Sequence, residues 1–232
     1  MRLLFLLVLF PAAVQAAVVA IDVGHFIEEP GATSARGRPE LEFNRELAVE
    51  IESAARRSGL KTMLIGYDGF MSQLTARTAA ARDADFFLAV HHDSVQPQFL
   101  ESWEFDHVER RFSDLHAGFS LFVSRKNGAL RRSLACASAI GAALRGAGFA
   151  PSLYHAEAIP GENKPFADKV NGVHYYDNPI VLKTARTPAV LLEAGVILNR
   201  DEELRMRSEE THKRIAGAVA QGLARCLGAK RF

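Results

Sequence analysis

Three short apolar runs, each breaking into side chains able to bind a metal or move a proton, constrain this chain more than any other feature. Phe86-Phe87-Leu88-Ala89-Val90 runs into His91-His92-Asp93, Val18-Val19-Ala20-Ile21 into Asp22-Val23-Gly24-His25, and Ala189-Val190-Leu191-Leu192 into Glu193-Ala194-Gly195. A strand apolar on both faces belongs in the middle of a parallel sheet. Ligands of open α/β sheets bind outside the carboxyl ends of such strands. If the three runs lie side by side and point the same way, two imidazoles and a carboxylate converge at one rim.

The segments between them support that arrangement. Pro39 suits a first helical turn, Phe43, Leu47, Ile51, Ala54 and Ala55 share one face, and Gly59 closes the helix. Glu40 therefore opens a helix just after the loop that follows His25. A strand over Lys61 to Ile65 and a helix from about Ser72 to Arg82 lead into the Phe86 run, so the order is strand, helix, strand, helix, strand. Right-handed crossovers then predict a single α/β domain: a central, mainly parallel, twisted sheet of about six strands with helices on both faces. Further strands are predicted at Phe119 to Val123, antiparallel at an edge, and at Ile180 to Lys183. Helices are predicted at Ala129 to Arg145, just after Asn199, and from Ser208 to Leu227. Ser94 to Gly118 and Phe149 to Asn178 show no period and read as walls of a binding site.

Of 232 residues, 48% are apolar and 24% charged, enough for one globular core. Arg2, the apolar run Leu3 to Phe10, Pro11 and small residues to Ala16 read as a secretory leader cut after residue 16, the run being too short to span a bilayer. The mature chain is then exported, with no membrane span. A net charge of +1 with no basic stripe argues against nucleic acid as a partner. The two cysteines, Cys136 and Cys226, are too few for a thiolate zinc site; both fall on helical segments and read as packed thiols rather than a bridge.

By spacing alone His25 and His91 are either metal ligands or satisfied structural histidines. The ordered motifs go further. Asp22-Val23-Gly24-His25, Glu40 with Asn44, Leu74 with Arg77 and Ala81, Ala89-Val90-His91-His92-Asp93, and Pro188 to Glu193 with Asn199 resemble, in order and over nearly the whole mature chain, the zinc-dependent N-acetylmuramoyl-L-alanine amidases called type 3 amidases. The resemblance implies that residues 17–232 are an amidase catalytic domain acting on peptidoglycan. It implies zinc held by His25, Glu40 and His91, with Glu193 as the catalytic carboxylate. Glu42 and Glu46 rival Glu40, and His92 rivals His91; the family's four-residue offset to Asn and its placing of the ligand directly after the strand residues imply the first of each. Phe26, Ala89 and His92-Asp93 depart from the family pattern without removing a ligand.

The expectation is a secreted, periplasmic, monomeric enzyme cutting the bond between N-acetylmuramic acid and L-alanine, with His155 and Asp93 as candidate substrate contacts. His107, His116 and His212 read as surface residues. Two other readings stay open at this point: a zinc peptidase acting on stem-peptide or other peptide bonds, and a non-catalytic wall-binding protein of the same fold.

Overall fold

A computed structural model describes residues 16–228, so the expected leader lies outside the described residues except for Ala16. The elements are β1 (Val18–Val23), α1 (Glu40–Arg57), β2 (Lys61–Ile65), α2 (Leu74–Ala80), β3 (Phe86–Asp93), β4 (Glu101–Phe105), β5 (Val108–Phe112), β6 (Ser120–Val123), α3 (Leu130–Gly146), β7 (Phe166–Asp168), β8 (Val173–Tyr175), α4 (Ile180–Thr184), β9 (Ala189–Val196), α5 (Arg200–Met206) and α6 (Glu209–Leu227). Among the described residues one seven-stranded sheet runs in the order β2-β1-β3-β9-β6-β8-β7, with β4 and β5 forming a separate hairpin. β2, β1, β3 and β9 are parallel; β6 is antiparallel to β9, β8 parallel to β6 and β7 antiparallel to β8. The three apolar runs are thus adjacent central strands, and their carboxyl ends meet at one rim.

Strand alternation sorts the core into two layers. Val19, Ile21, Val23, Phe86, Leu88, Val90, Val190 and Leu192 pack with α1, α3 and α6. Ala20, Phe87, Ala89, Ala189 and Leu191 pack on the other side with Ala81 and Ala84, just after the short α2, and with Val181 and Leu182 of the short α4. His91 and Glu193 continue that second face, where the covering helices are short and leave the rim open.

Four expectations need correcting. Ile180 to Lys183, β-branched and strand-like in sequence, is the helix α4: Val181 and Leu182 bury against the second face. Asn127 Nδ2 donates to the carbonyls of Leu182, Ala185 and Thr187, which satisfies the end of that turn. Phe119 to Val123 is antiparallel to β9 as expected, but it lies inside the sheet, because the irregular stretch after Phe149 supplies β8 and β7 beyond it. Ser94 to Gly118 holds the β4-β5 hairpin, turned by Asp106 and His107, both at positive φ (54° and 59°). Finally, Cys136 and Cys226 form a disulfide. Small residues let α3 and α6 approach closely: the backbone of Ile140 occupies the place of a Cβ on Gly222, and the cysteine Cα atoms lie 5.1 Å apart, within bridging distance.

Candidate active site

His25, Glu40 and His91 come from three elements, and their ligand-grade atoms all lie within 4.8 Å of one another. His25 follows β1 in the left-handed region (φ 71°), a conformation that costs a non-glycine residue about 1 kcal/mol unless its surroundings hold it. Arg77 does so. Fully buried, it donates to the carbonyls of Val23, His25 and Met71 and pairs with Asp22 at 2.8 Å. Burial lifts Asp22 to about 6 against the pull of that guanidinium. His91 is seated differently: its ring lies over Gly24, where a Cβ would come within 2.3 Å of it.

Glu40 lies in the first turn of α1, where a carboxylate suits the unpaired backbone amides. Its Oε2 meets His25 Nε2 at 2.9 Å and its Oε1 meets His91 Nδ1 at 3.1 Å. The amides of Ala32 and His92 and the Nδ2 of Asn44 donate to the same carboxylate. Burial would raise its pKa, but the hydrogen bonds and charges of the two imidazoles hold it far below the usual carboxylate range. One helical turn on, Asn44 also takes the rival His92: Nδ1 lies 2.8 Å from Asn44 Oδ1, and the buried ring, pushed down to about 3 by burial, stands outside the trio. Glu42 and Glu46 are likewise excluded, both pairing with Arg38.

Two imidazole nitrogens, one carboxylate oxygen and an open position match the donor set of a catalytic zinc. Gly31 keeps the space clear. A Cβ there would lie 2.4 Å from Glu40 Oε2 and 2.7 Å from the His25 ring, and its φ of 82° disfavours any side chain. Sequence reasoning missed this residue, because a glycine in a Gly- and Pro-containing loop carries no signal of what it borders.

Glu193 lies beside the trio, in register with His91 on β3 and Ser120 on β6. Among the described residues its buried Oε2 has no hydrogen-bond partner, nor has the Oγ of Ser120 opposite. Burial, reinforced by the charges of Asp93 and Glu40, holds Glu193 well above the usual carboxylate range. Pairing with Arg200 does not occur, that guanidinium being held by Asp114.

Beyond Glu193 the predicted substrate contacts Asp93 and His155 are joined to each other, Oδ2 to Nε2, at 2.6 Å. The other ring nitrogen of His155 meets Glu162 at 2.7 Å, and Glu162 also accepts from Lys164 and from Gln96. Burial alone would lower His155, yet Asp93 and Glu162 raise it to about 9; burial would raise Glu162, yet hydrogen bonds from His155, Gln96 and Lys164 bring it down to about 2. This chain of alternating charges locks the two irregular stretches together, and among the described residues it sends no further carboxylate into the trio. Of the three histidines expected at the surface, only His107 is exposed. His116 lies against Tyr154 with its ring mostly covered, and His212 is buried, its Nε2 on the carbonyl of Met206.

The sequence profile of the family described as N-acetylmuramoyl-L-alanine amidase, Amidase_3, matches residues 19–225. No curated protein sequence gives a significant match. Solved structures do. The amidase Ami1 of Mycobacterium smegmatis is 20% identical, covering 92% of this chain and 98% of its own, with a TM-score of 0.72. The catalytic domain of the amidase CwlV of Bacillus (Paenibacillus) polymyxa is 25% identical over 92% and 99%, at 0.69. An amidase of Clostridium difficile 630 is 18% identical over 93% and 98%, at 0.71.

Proposed function

The chain belongs to the N-acetylmuramoyl-L-alanine amidase family, and on that premise we propose that it is a zinc enzyme hydrolysing the amide between the lactyl group of N-acetylmuramic acid and the first L-alanine of the peptidoglycan stem peptide. The observation that carries the proposal is the meeting of His25, Glu40 and His91 beside a partnerless Glu193 at one open sheet rim.

Zinc bound there supplies Lewis-acid polarisation of the scissile carbonyl and acidification of a water. The chain's own residues do the rest. Glu40 brings one negative charge to the cation, and Asn44 with the amides of Ala32 and His92 fixes its orientation, the kind of outer support that sets metal affinity. His25 and His91 offer one nitrogen each and are pinned by Arg77 and Gly24. Glu193 takes the proton of the attacking water on its carboxylate, and the environment that raises its pKa lets it keep that proton until the alanine nitrogen departs and accepts it.

A leader ending at residue 16 and the Cys136–Cys226 bridge support export to an oxidising compartment, the periplasm, where the substrate lies. No described helix is long and apolar enough to cross a membrane. Mass spectrometry of purified muropeptides tests the activity: intact stem peptide and intact glycan should appear together. Fragments cut within the peptide would instead mark a peptidase.

A further inference from the structure

A cavity of about 380 Å³ opens beside the trio, between the loop after β1 and the starts of α2 and α4; His25 and His91 line it and Glu193 does not. Phe26, Leu74, Ile180, Val181 and Leu191 line it, with His25 and His91 at its inner edge. Asp22 and Arg77 at its border neutralise each other. The remaining charged group along it is Glu29, which is exposed. The pocket is therefore apolar, with a single negative charge at its mouth. On the Glu193 side stand instead the paired Asp93, His155, Glu162 and Lys164.

The two flanks must receive the two arms of a substrate whose amide lies across the trio. The group that hands a proton to the leaving nitrogen has to stand within hydrogen-bond reach of it. With Glu193 in that role, the amine arm lies on the Glu193 side and the acyl arm extends the other way, into the cavity. Charge gives the same answer independently. The stem peptide carries carboxylates, which an apolar pocket rimmed by Glu29 disfavours, whereas in the intact substrate the lactyl ether, acetamido group and sugar ring are uncharged.

We infer that this cavity is the subsite for the acyl arm, the N-acetylmuramyl side of the bond, and that Leu74 and Ile180 at its rim determine how well that arm binds. The inference rests on the proposed amidase activity. Its test uses the two products as competing inhibitors of muropeptide hydrolysis by the zinc-loaded enzyme: N-acetylmuramic acid reports the acyl arm and free stem pentapeptide the amine arm. Ile180→Glu places a second negative charge at the rim, and Leu74→Trp fills the pocket. Both positions are partly exposed (36% and 39%), so folding tolerates the changes, and a thermal melt checks it. The Ki of N-acetylmuramic acid should rise about tenfold or more in both variants while that of the peptide stays within about twofold. A rise confined to the peptide, a parallel rise in both, or no change in the sugar's Ki, including a sugar that does not inhibit, overturns the inference. Wild-type enzyme that releases no stem peptide at all refutes the amidase reading instead.

Discussion

Gly31 and Glu193 show how narrowly single positions define this site. Gly31→Ala adds a methyl group where Glu40 and His25 already stand, at a φ that disfavours it. The variant should keep its fold and bind zinc at least about tenfold more weakly, the scale typical of disturbed metal support, as read by competition with a chromogenic chelator. Glu193→Gln removes the proton acceptor and leaves the trio alone. It should retain full zinc while kcat falls by about a thousandfold or more, since both proton transfers pass through this carboxylate. Loss of zinc in Glu193→Gln would make Glu193 a ligand. The apolar patterns put His25, Glu40 and His91 at the ends of elements, but it was the family resemblance of their motifs, with Asn44 at the family's offset from Glu40, that made them legible as one set. Gly31 and Ser120 were not, because their importance lies in what stands opposite them in space.

Among the elements, the connection from β6 to β9 depends on a buried ion chain whose pH response follows from its members. His155 titrates at about 9 in the folded protein against 6.5 ordinarily, so its stabilisation is complete below pH 6.5 and vanishes as pH rises through 9. Glu162 titrates at about 2 against 4.5, so its stabilisation is complete above pH 4.5 and is lost as pH falls through 2. Urea unfolding should therefore show stability dropping between pH 6.5 and 9, a drop absent in His155→Gln; an unchanged slope in that variant would show that His155 does not carry it. Local pattern failed where such long-range contacts decide. The α4 segment looks like a strand but pays its backbone carbonyls into Asn127, and the β4-β5 hairpin turns on Asp106-His107 rather than a glycine-containing pair. β7 and β8 are three residues each, too short for alternation to be read.

For the whole molecule, the side-by-side placement of the three apolar strands was legible from their runs, whereas the interior place of β6 and the disulfide depended on contacts between distant segments. The Cys136–Cys226 bridge closes a loop of 90 residues and ties the last helix to α3. On the chain-entropy account its removal in a Cys136→Ser, Cys226→Ser variant costs about 4.6 kcal/mol and lowers the melting temperature by roughly 10–15 °C, with the sheet intact by circular dichroism. A melt unmoved by the substitutions or by reductant would refute that contribution. The central claim, that one metal held by His25, Glu40 and His91 drives cleavage of the muramyl amide, is tested most directly by titrating zinc into chelator-stripped enzyme while following stem-peptide release from purified sacculi. Release should be absent in the stripped enzyme, return fully at one zinc per wild-type chain, and fail to return in His91→Ala at that ratio. Full activity in the stripped enzyme, or stoichiometric rescue of His91→Ala, would contradict it.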